Sequence, residues 1–451
     1  MTTVLHTNPT DFALNLNREQ KEELAVYTQF ARQRLLERET SIAEQKMAFF
    51  HGEKTVQAPL LIADFPARLI DVSLRDYYLD TVKHYQAYCA ALARFGEDYV
   101  FTYTATWEYR LVEALGGQLT FLPDKAPETS VHPFNCLADL EQAPAVNLAE
   151  LLSSDLALKR YVDQQLGDLI GPGTFVVLDP FSTVCSLLRD PQQLMMDVVQ
   201  NPAFVHALCT YAYEMIRDVM RLVLAAGPTI FFMPGYLLMI SARHFETFAR
   251  PYIDRLVADF PGVPIMLGSG GDATHLIEPL MRSQVPVVFI DAASNLERAV
   301  QKAREYQKPI TVLFPRSVLM RNQKIEIFDT TRRLFRTVQD VPFYYWTEAI
   351  LGGDIPNQAI DYFVQAYRDL SDLSLDAASV EQLVPVISQG PETIDSGCVN
   401  WETDAEEALN KSVPFMFRKM VRRELQKNAA AEGISVINRE MFERMKKQAG
   451  Y

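Results

Sequence analysis

One pattern constrains the fold more than any other: short apolar runs alternate with longer stretches of helical periodicity. Gly173–Leu178, Thr229–Met233, Val263–Leu267, Val285–Ile290, Ile310–Phe314 and Pro342–Trp346 are the runs. Continuous apolar segments this brief fit strands buried on both faces of a parallel sheet. Between them lie helical patterns such as Pro202–Ala226. Earlier, Asp98–Thr104 follows the helical pattern Tyr77–Phe95, and Leu60–Ala63 is the candidate first strand. Asp190-Pro191 and Asn201-Pro202 each place a capping side chain before a proline suited to a first helical turn. Seven or eight strands with intervening helices predict an α/β fold, a (β/α)8 TIM barrel rather than an open sheet.

The barrel is expected over 59–370, after an N-terminal helical extension at 1–58. Composition turns acidic and serine-containing after about Tyr367, so 371–397 reads as a linker. Residues 398–451 read as a compact helical module: Trp401–Ser412, Pro414–Gly433 and Asn438–Gln448, the last capped by Asn438. The chain has 451 residues and a formal charge of −14, which leaves no domain-wide basic face for nucleic acid. Met1–Asn15 is polar, and no apolar run approaches a membrane span, so a cytoplasmic protein is expected. Cys89, Cys136, Cys185, Cys209 and Cys398 are scattered and form no Cys-x-x-Cys pair, which argues against a disulfide framework or structural zinc.

In a parallel barrel, catalytic groups gather where strands run into loops at the C-terminal face. The richest such junction is Val263–Asp272, whose glycines let the backbone approach a ligand and whose loop offers Ser269, Asp272 and, within Ala273–Arg282, His275. Its Gly-x-Gly-Gly-Asp spacing is not a dinucleotide fingerprint. Other strand ends supply Tyr103, Trp107 and Glu108, then Asp179 and Ser182, then Tyr236. Asp291, Arg316, Tyr344, Trp346 and Glu348 complete the set. Asp179, Asp272 and Glu348 are the candidate catalytic acids or anchors; the aromatic and hydroxyl groups suit a flat small-molecule substrate.

Glu113–Gly117, Asp124–Pro127, Asp179–Ser182, Leu187–Asp190, Asn201-Pro202 with Val205-His206, Phe245–Tyr252, Pro264–Gly271 and Val285–Asp291 carry a resemblance in their order and spacing. They resemble the uroporphyrinogen decarboxylase and corrinoid methyltransferase superfamily, which implies a TIM barrel. The C-terminal module resembles the small C-terminal domain of light-independent protochlorophyllide reductase, through Trp401–Ala405, Val413–Arg418, Arg422, Ala429–Gly433 and Ile437–Met441. Both resemblances imply a cyclic tetrapyrrole. On that implication Arg418, Arg422 and Arg423 are candidate cofactor contacts through ligand carboxylates.

Two departures bear on the reaction. Zinc-dependent methyltransferases of the superfamily carry His-x-Cys at the strand end matching Val263–Leu267, where this chain has Gly268 and Gly270. Zinc is therefore not expected at that position; His275 and Cys398 remain without a recognisable ligand spacing. The arginine-rich N-terminal motif of true uroporphyrinogen decarboxylases is absent, with Arg68 and Arg75 the nearest arginines. The resemblance favours methyl transfer involving a corrinoid carried by a partner protein. Decarboxylation of a porphyrinogen and a non-catalytic tetrapyrrole-binding or assembly role are the alternatives, and a homodimer is a further partner expectation.

Overall fold

The computed structural model describes residues 16–38, 41–50, 56–60, 65–96, 104–121, 127–347, 355–371, 400–413 and, further on, 418, 421–422, 425–426, 429 and 434–448. The chain divides into two compact units, Met1–Arg68 with Val72–Asp376, and Leu69–Asp71 with Ala377–Tyr451.

The first unit is built on seven strands: β1 (Val56–Leu60), β2 (Gly173–Val176), β3 (Thr229–Gly235), β4 (Ile265–Ser269), β5 (Val287–Asp291), β6 (Ile310–Phe314) and β7 (Phe343–Thr347). All pair in parallel, in the order β1-β7-β6-β5-β4-β3-β2. The first strand therefore lies beside the last, the neighbour relation of a sheet curling towards a barrel. A doubly wound sheet instead reverses its strand order at an interior switch point. Among the described residues β1 and β2 are edges, and the sheet is not closed between them. The strand expected at Asp98–Thr104 falls on 97–103, outside the described residues; Thr104 itself opens a helix.

Six prolines set where the strands begin. Pro172, Pro228, Pro264, Pro286, Pro309 and Pro342 each stand immediately before one of β2–β7. Proline has no N–H for a ladder and holds the preceding residue extended, so regular pairing starts just after it. Its carbonyl still accepts: the Phe231 amide donates to Pro264 O at 2.8 Å and the Ile310 amide to Pro342 O at 3.0 Å. This corrects the expected starts at Val263, Val285 and Pro342, which lie at or before those prolines. The first strand is also earlier than expected, Val56–Leu60 rather than Leu60–Ala63.

Inside the sheet, Phe232 meets Trp346 edge-on at 4.4 Å and Phe289 at 5.0 Å between ring centroids. On the outer face, Tyr345 stacks on Phe363 at 4.6 Å and bonds Thr331 Oγ1 at 2.6 Å. Tyr344 and Trp346 thus share the inner face by strand alternation. The helices that bear on the argument are α1 (Arg18–Leu36), α2 (Ile42–Phe50), α3 (Thr81–Phe95), α4 (Thr104–Ala114), α5 (Ser153–Ile170) and α6 (Pro202–Ala225). The pattern Tyr77–Phe95 is two helices, broken where Asp80 caps α3 through the Val82 and Lys83 amides. Asp190 caps through the Gln193 amide, whereas Asn201 caps α6 by position only, its side chain making no cap bond. The N-terminal helices belong to the first unit: Thr28 bonds Tyr85 at 2.7 Å, Arg32 pairs with Asp168 at 2.7 Å, and buried Lys46 donates to Ile170 O at 2.9 Å.

In the second unit two short parallel strands, β8 (Asn400–Trp401) and β9 (Val436–Ile437), flank helices at Thr403–Ser412 and Arg439–Gln448. Trp401 is in β8 rather than at the head of the first helix, because the flanking Asn400 and Glu402 amides bond Ser435 O and Ile437 O. Asn438 Oδ1 accepts from the Met441 amide at 3.0 Å, the cap expected from the sequence. Among the described residues, no helix is long and apolar enough to cross a membrane.

Phe232 is 1% exposed at the centre of the inner aromatic layer. Phe232→Ala is expected to cost about 3–5 kcal/mol through the cavity it leaves, measured by urea unfolding; a loss below about 1 kcal/mol would contradict the packed interior.

Candidate functional site

Because every strand of the sheet runs the same way, the residues following β2, β3, β4 and β5 emerge at one end of it. Asp179 follows β2. It is fully buried and caps the short helix Pro180–Thr183, Oδ1 accepting from the Phe181 amide at 3.0 Å and the Ser182 amide at 3.2 Å. Oδ2 is buried with no hydrogen-bond partner among the described residues. Burial pushes the carboxyl up to about 6, with the Ser182 hydroxyl and the capping amides working the other way.

β3 is drawn tightly over this carboxylate. A Cβ at Gly235 would lie 2.8 Å from Asp179 Oδ2 and 3.0 Å from Ser182 Oγ, so only glycine permits the approach. The next amide, Tyr236 N, donates to Ser182 Oγ at 2.8 Å. Ser269, at the end of β4, ties the same turn from the other side: its hydroxyl donates to Gly235 O at 3.0 Å and accepts from the Leu238 amide at 3.2 Å. Asp291, ending β5, holds the glycine loop, Oδ2 accepting from the Gly271 amide at 3.0 Å and Oδ1 from Ala293 at 2.8 Å. These serines and Asp291 shape the strand ends.

The second acid comes from α4. Arg110 clamps that helix to α5, pairing with buried Asp155 and donating to Ser154 Oγ at 2.9 Å. One residue away from fully buried Trp107, Glu108 presents Oε1 buried and without a partner among the described residues. Burial pushes Glu108 up to about 8, opposed by a hydrogen bond from the Leu178 backbone, the residue preceding Asp179. Tyr236 is 45% exposed. Burial raises its pKa, with the Ser186 hydroxyl working the other way. Ser186 lies in a wide π-turn, Val184–Leu188, closed by Arg189 N to Val184 O at 2.9 Å. Such turns re-aim side chains that a regular helix would point elsewhere.

The other candidates have different surroundings. Asp272 is exposed, and its Oδ1 is committed to the Thr274 amide at 3.0 Å and hydroxyl at 2.6 Å, which hold its carboxyl below the usual range. His275 is exposed, its Nε2 2.9 Å from Ile240 O, and begins a broken helix, Thr274–Leu276 then Ile277–Arg282, rather than one run. Arg316 heads the helix after β6, half-buried. Tyr344 and Trp346 are interior, 2% and 0% exposed. In the second unit, Arg422 pairs with Glu406 at 2.7 Å and stacks over Trp401 at 5.3 Å, and Arg418 donates to Val413 O at 2.9 Å. Tyr103, Glu348, Arg423 and Cys398 lie outside the described residues. The sequence reading included Glu108 only in its inventory, and gave Ser186 and Gly235 no role. Nothing in the local pattern marks a π-turn, although a glycine ending an apolar run was a readable sign of close approach.

Residues 43–369 match the family model for uroporphyrinogen decarboxylase. The chain belongs to that family. Residues 401–446 match the model for the proto-chlorophyllide reductase 57 kD subunit. Among solved structures, a methyltransferase from Methanosarcina mazei is similar at 12% identity and TM-score 0.63, over 74% of this chain and 99% of that one. A B12-independent methionine synthase from Shewanella sp. W3-18-1, in complex with selenomethionine, aligns at 11% identity and TM-score 0.39, over 61% of this chain and 80% of that one. No curated protein matches.

Of the two positions in this family member that match the His-x-Cys, Gly268 is closed to a side chain and Gly270 is not. A Cβ at Gly268 would lie 2.2 Å from Phe289 O and 2.8 Å from the Phe289 ring, so the neighbouring strand occupies the space a ligand side chain needs. At Gly270 a Cβ would meet nothing within 4 Å. Gly268→Ala is therefore expected to destabilise by about 1–3 kcal/mol through overpacking, and Gly270→Ala to change stability little; equal effects in thermal or urea unfolding would refute the packing.

The two acids also make a pH prediction. A carboxyl whose folded pKa lies above its unfolded value lends stability in full below the unfolded pKa and loses it as pH rises through the folded one. For Glu108 that window runs from the ordinary 4.5 to about 8. Relative to Glu108→Gln, the wild type should lose on the order of 3–5 kcal/mol across it, read by urea unfolding at fixed pH values. A constant difference from pH 4 to 9 would show that Glu108 is not desolvated.

Proposed function

We propose that this chain is a methyl-transfer enzyme acting with a corrinoid carried by a partner protein, on the frame of a (β/α)8 TIM barrel. The observation that carries the reading is two buried acids, Asp179 after β2 and Glu108 on α4, their pKa values raised by different amounts. Near neutral pH that difference leaves Glu108 holding its proton and Asp179 largely ionised. Two acids separated in this way divide into a donor and a carboxylate anchor. Demethylating an ether or amine needs such a donor, because the departing oxygen or nitrogen must gain a proton as its bond to the methyl carbon breaks.

Glu108 Oε1 supplies that proton to the leaving atom and is left as a carboxylate. Asp179 Oδ2 accepts a hydrogen bond from the substrate and fixes its orientation. A bound corrinoid would supply the acceptor for the methyl group. The exposed apolar edge of Tyr236, Leu238 and Met239 beside Gly270 and Gly271 has the flat, uncharged chemistry that such a macrocycle requires, and these residues would hold it. Neither Gly268 nor Gly270 offers a side chain to a zinc ion, and Phe289 leaves no room for one at Gly268. For the C-terminal module taken by itself, tetrapyrrole carboxylates are the ligand class proposed for Arg418, Arg422 and Arg423.

The test is incubation with methylcobalamin, following its absorbance and the methylated product, beside a parallel incubation with uroporphyrinogen analysed for lost carboxyl groups. Methyl turnover is expected, with Glu108→Gln lowering kcat by about 10²–10⁴-fold. Carboxyl loss from uroporphyrinogen would overturn methyl transfer in favour of a carboxy-lyase. Binding of cobalamin or a porphyrin without turnover of either would favour a non-catalytic tetrapyrrole protein.

A further inference from the structure

The interior of the first unit gives its buried carboxylates partners on both oxygens or a cation, and Asp179 is the exception. Among the described residues the buried acids are Asp155, Asp179 and Asp291. Asp155 pairs with Arg110. Asp291 has an amide on each oxygen, Gly271 N at 3.0 Å and Ala293 N at 2.8 Å. Half-buried acids are paired as well, Asp163 with Lys159 at 2.5 Å and Asp197 with Arg189 at 2.9 Å. Asp179 is 0% exposed and its Oδ1 is taken by the Phe181 and Ser182 amides. Its Oδ2 has neither a hydrogen bond nor a cation among the described residues.

We propose that Asp179 is the seat of a protonated amino group on the substrate, separate from the atom that carries the methyl group; as to the substrate's class, this rests on the methyl-transfer reading. A carboxylate taken out of water without a partner is costly, and an ammonium that donates N–H to Oδ2 supplies both the missing charge and the missing hydrogen bond. On the reading above Glu108 carries its proton to the leaving atom, so the negative charge that needs a partner is that of Asp179. A substrate carboxylate at this position would add a second negative charge instead.

The surroundings favour an organic cation over a metal ion. No three His, Cys, Asp or Glu side chains gather to hold a metal among the described residues. β3 instead carries rings to either side of Gly235: Phe232, packed on Phe289 and Trp346, and Tyr236, which is 45% exposed. Aromatic groups attract an alkylammonium through its charge and cover its carbon through their faces. The seat is also fixed before a ligand arrives. Two amides orient the carboxylate, and the hydroxyls of Ser182 and Ser269 hold the turn from Gly235 to Leu238 beside it. A preorganised anion loses little freedom on binding.

The experiment compares three probes that share a ring and a methoxy group and differ in charge. Full-length protein is titrated by calorimetry with para-methoxybenzylamine, para-methoxybenzyl alcohol and para-methoxybenzoate, at one pH and constant ionic strength. The amine is expected to bind about tenfold or more tightly than the alcohol, and the benzoate most weakly. Asp179→Asn keeps the side-chain size and an oxygen for the two capping amides. It is expected to abolish the preference for the amine without lowering the thermal midpoint, because it removes a buried charge that had no partner. Equal binding of amine and alcohol by the wild type, a result that needs no variant, would overturn the seat. So would a preference that survives in Asp179→Asn. Turnover with cob(I)alamin as methyl acceptor separates the seat from the reaction: an amine held through Asp179 and never demethylated keeps the seat and overturns methyl transfer, whereas demethylation of the alcohol as fast as the amine keeps methyl transfer and overturns the seat.

Discussion

A strand buried on both faces has only its two neighbours to satisfy its backbone groups, and that constraint organises this protein. Each of β3–β7 is flanked by parallel partners on both sides, so its amides and carbonyls are paired without water. Placing β1 beside β7 extends the rule to the start of the chain and curls the sheet. The inner face then fills with Phe232, Phe289 and Trp346. The six prolines before β2–β7 fit the same logic: each stands where the ladder begins, and its carbonyl can join the pairing where its nitrogen cannot.

Polar groups collect where that dry sheet ends. Asp179 lies just beyond the ladder and Glu108 on α4, and both are buried with one carboxylate oxygen unpartnered among the described residues. Half of the Asp179 carboxylate is absorbed by capping Pro180–Thr183. The other oxygen stays bare because Gly235 has no side chain to cover it. Ser182, Ser269 and Asp291 are the fasteners that keep three strand ends at this distance. The raised pKa values follow from this architecture: an incompletely hydrogen-bonded carboxyl removed from solvent favours its neutral form.

Much of the frame was legible. Ile310–Phe314 was bounded correctly from its apolar run, and the other late strands lie within two residues of their expected ends. Asp179, Ser182, Tyr236 and Ser269 were readable because each follows an apolar run, and parallel strands deliver such residues to one end. Asp272, Tyr344 and Trp346 passed the same positional rule yet differ in role. Asp272 bonds its own turn, and the two aromatics alternate into the interior. Position along a strand does not state which polar atoms the local backbone will claim.

The sequence by itself determined the α/β class, the parallel strands and the end of the sheet at which Asp179 emerges. Those follow from period, run length and proline placement, all of which are local properties of the chain. Only the tertiary structure decided that Glu108 on a helix and Asp179 after a strand are both buried, each with one carboxylate oxygen unpartnered among the described residues. It also decided that Gly268 is closed to any side chain by Phe289, while Gly270 is open. Desolvation and close approach depend on atoms far apart in sequence, so no local pattern encodes them.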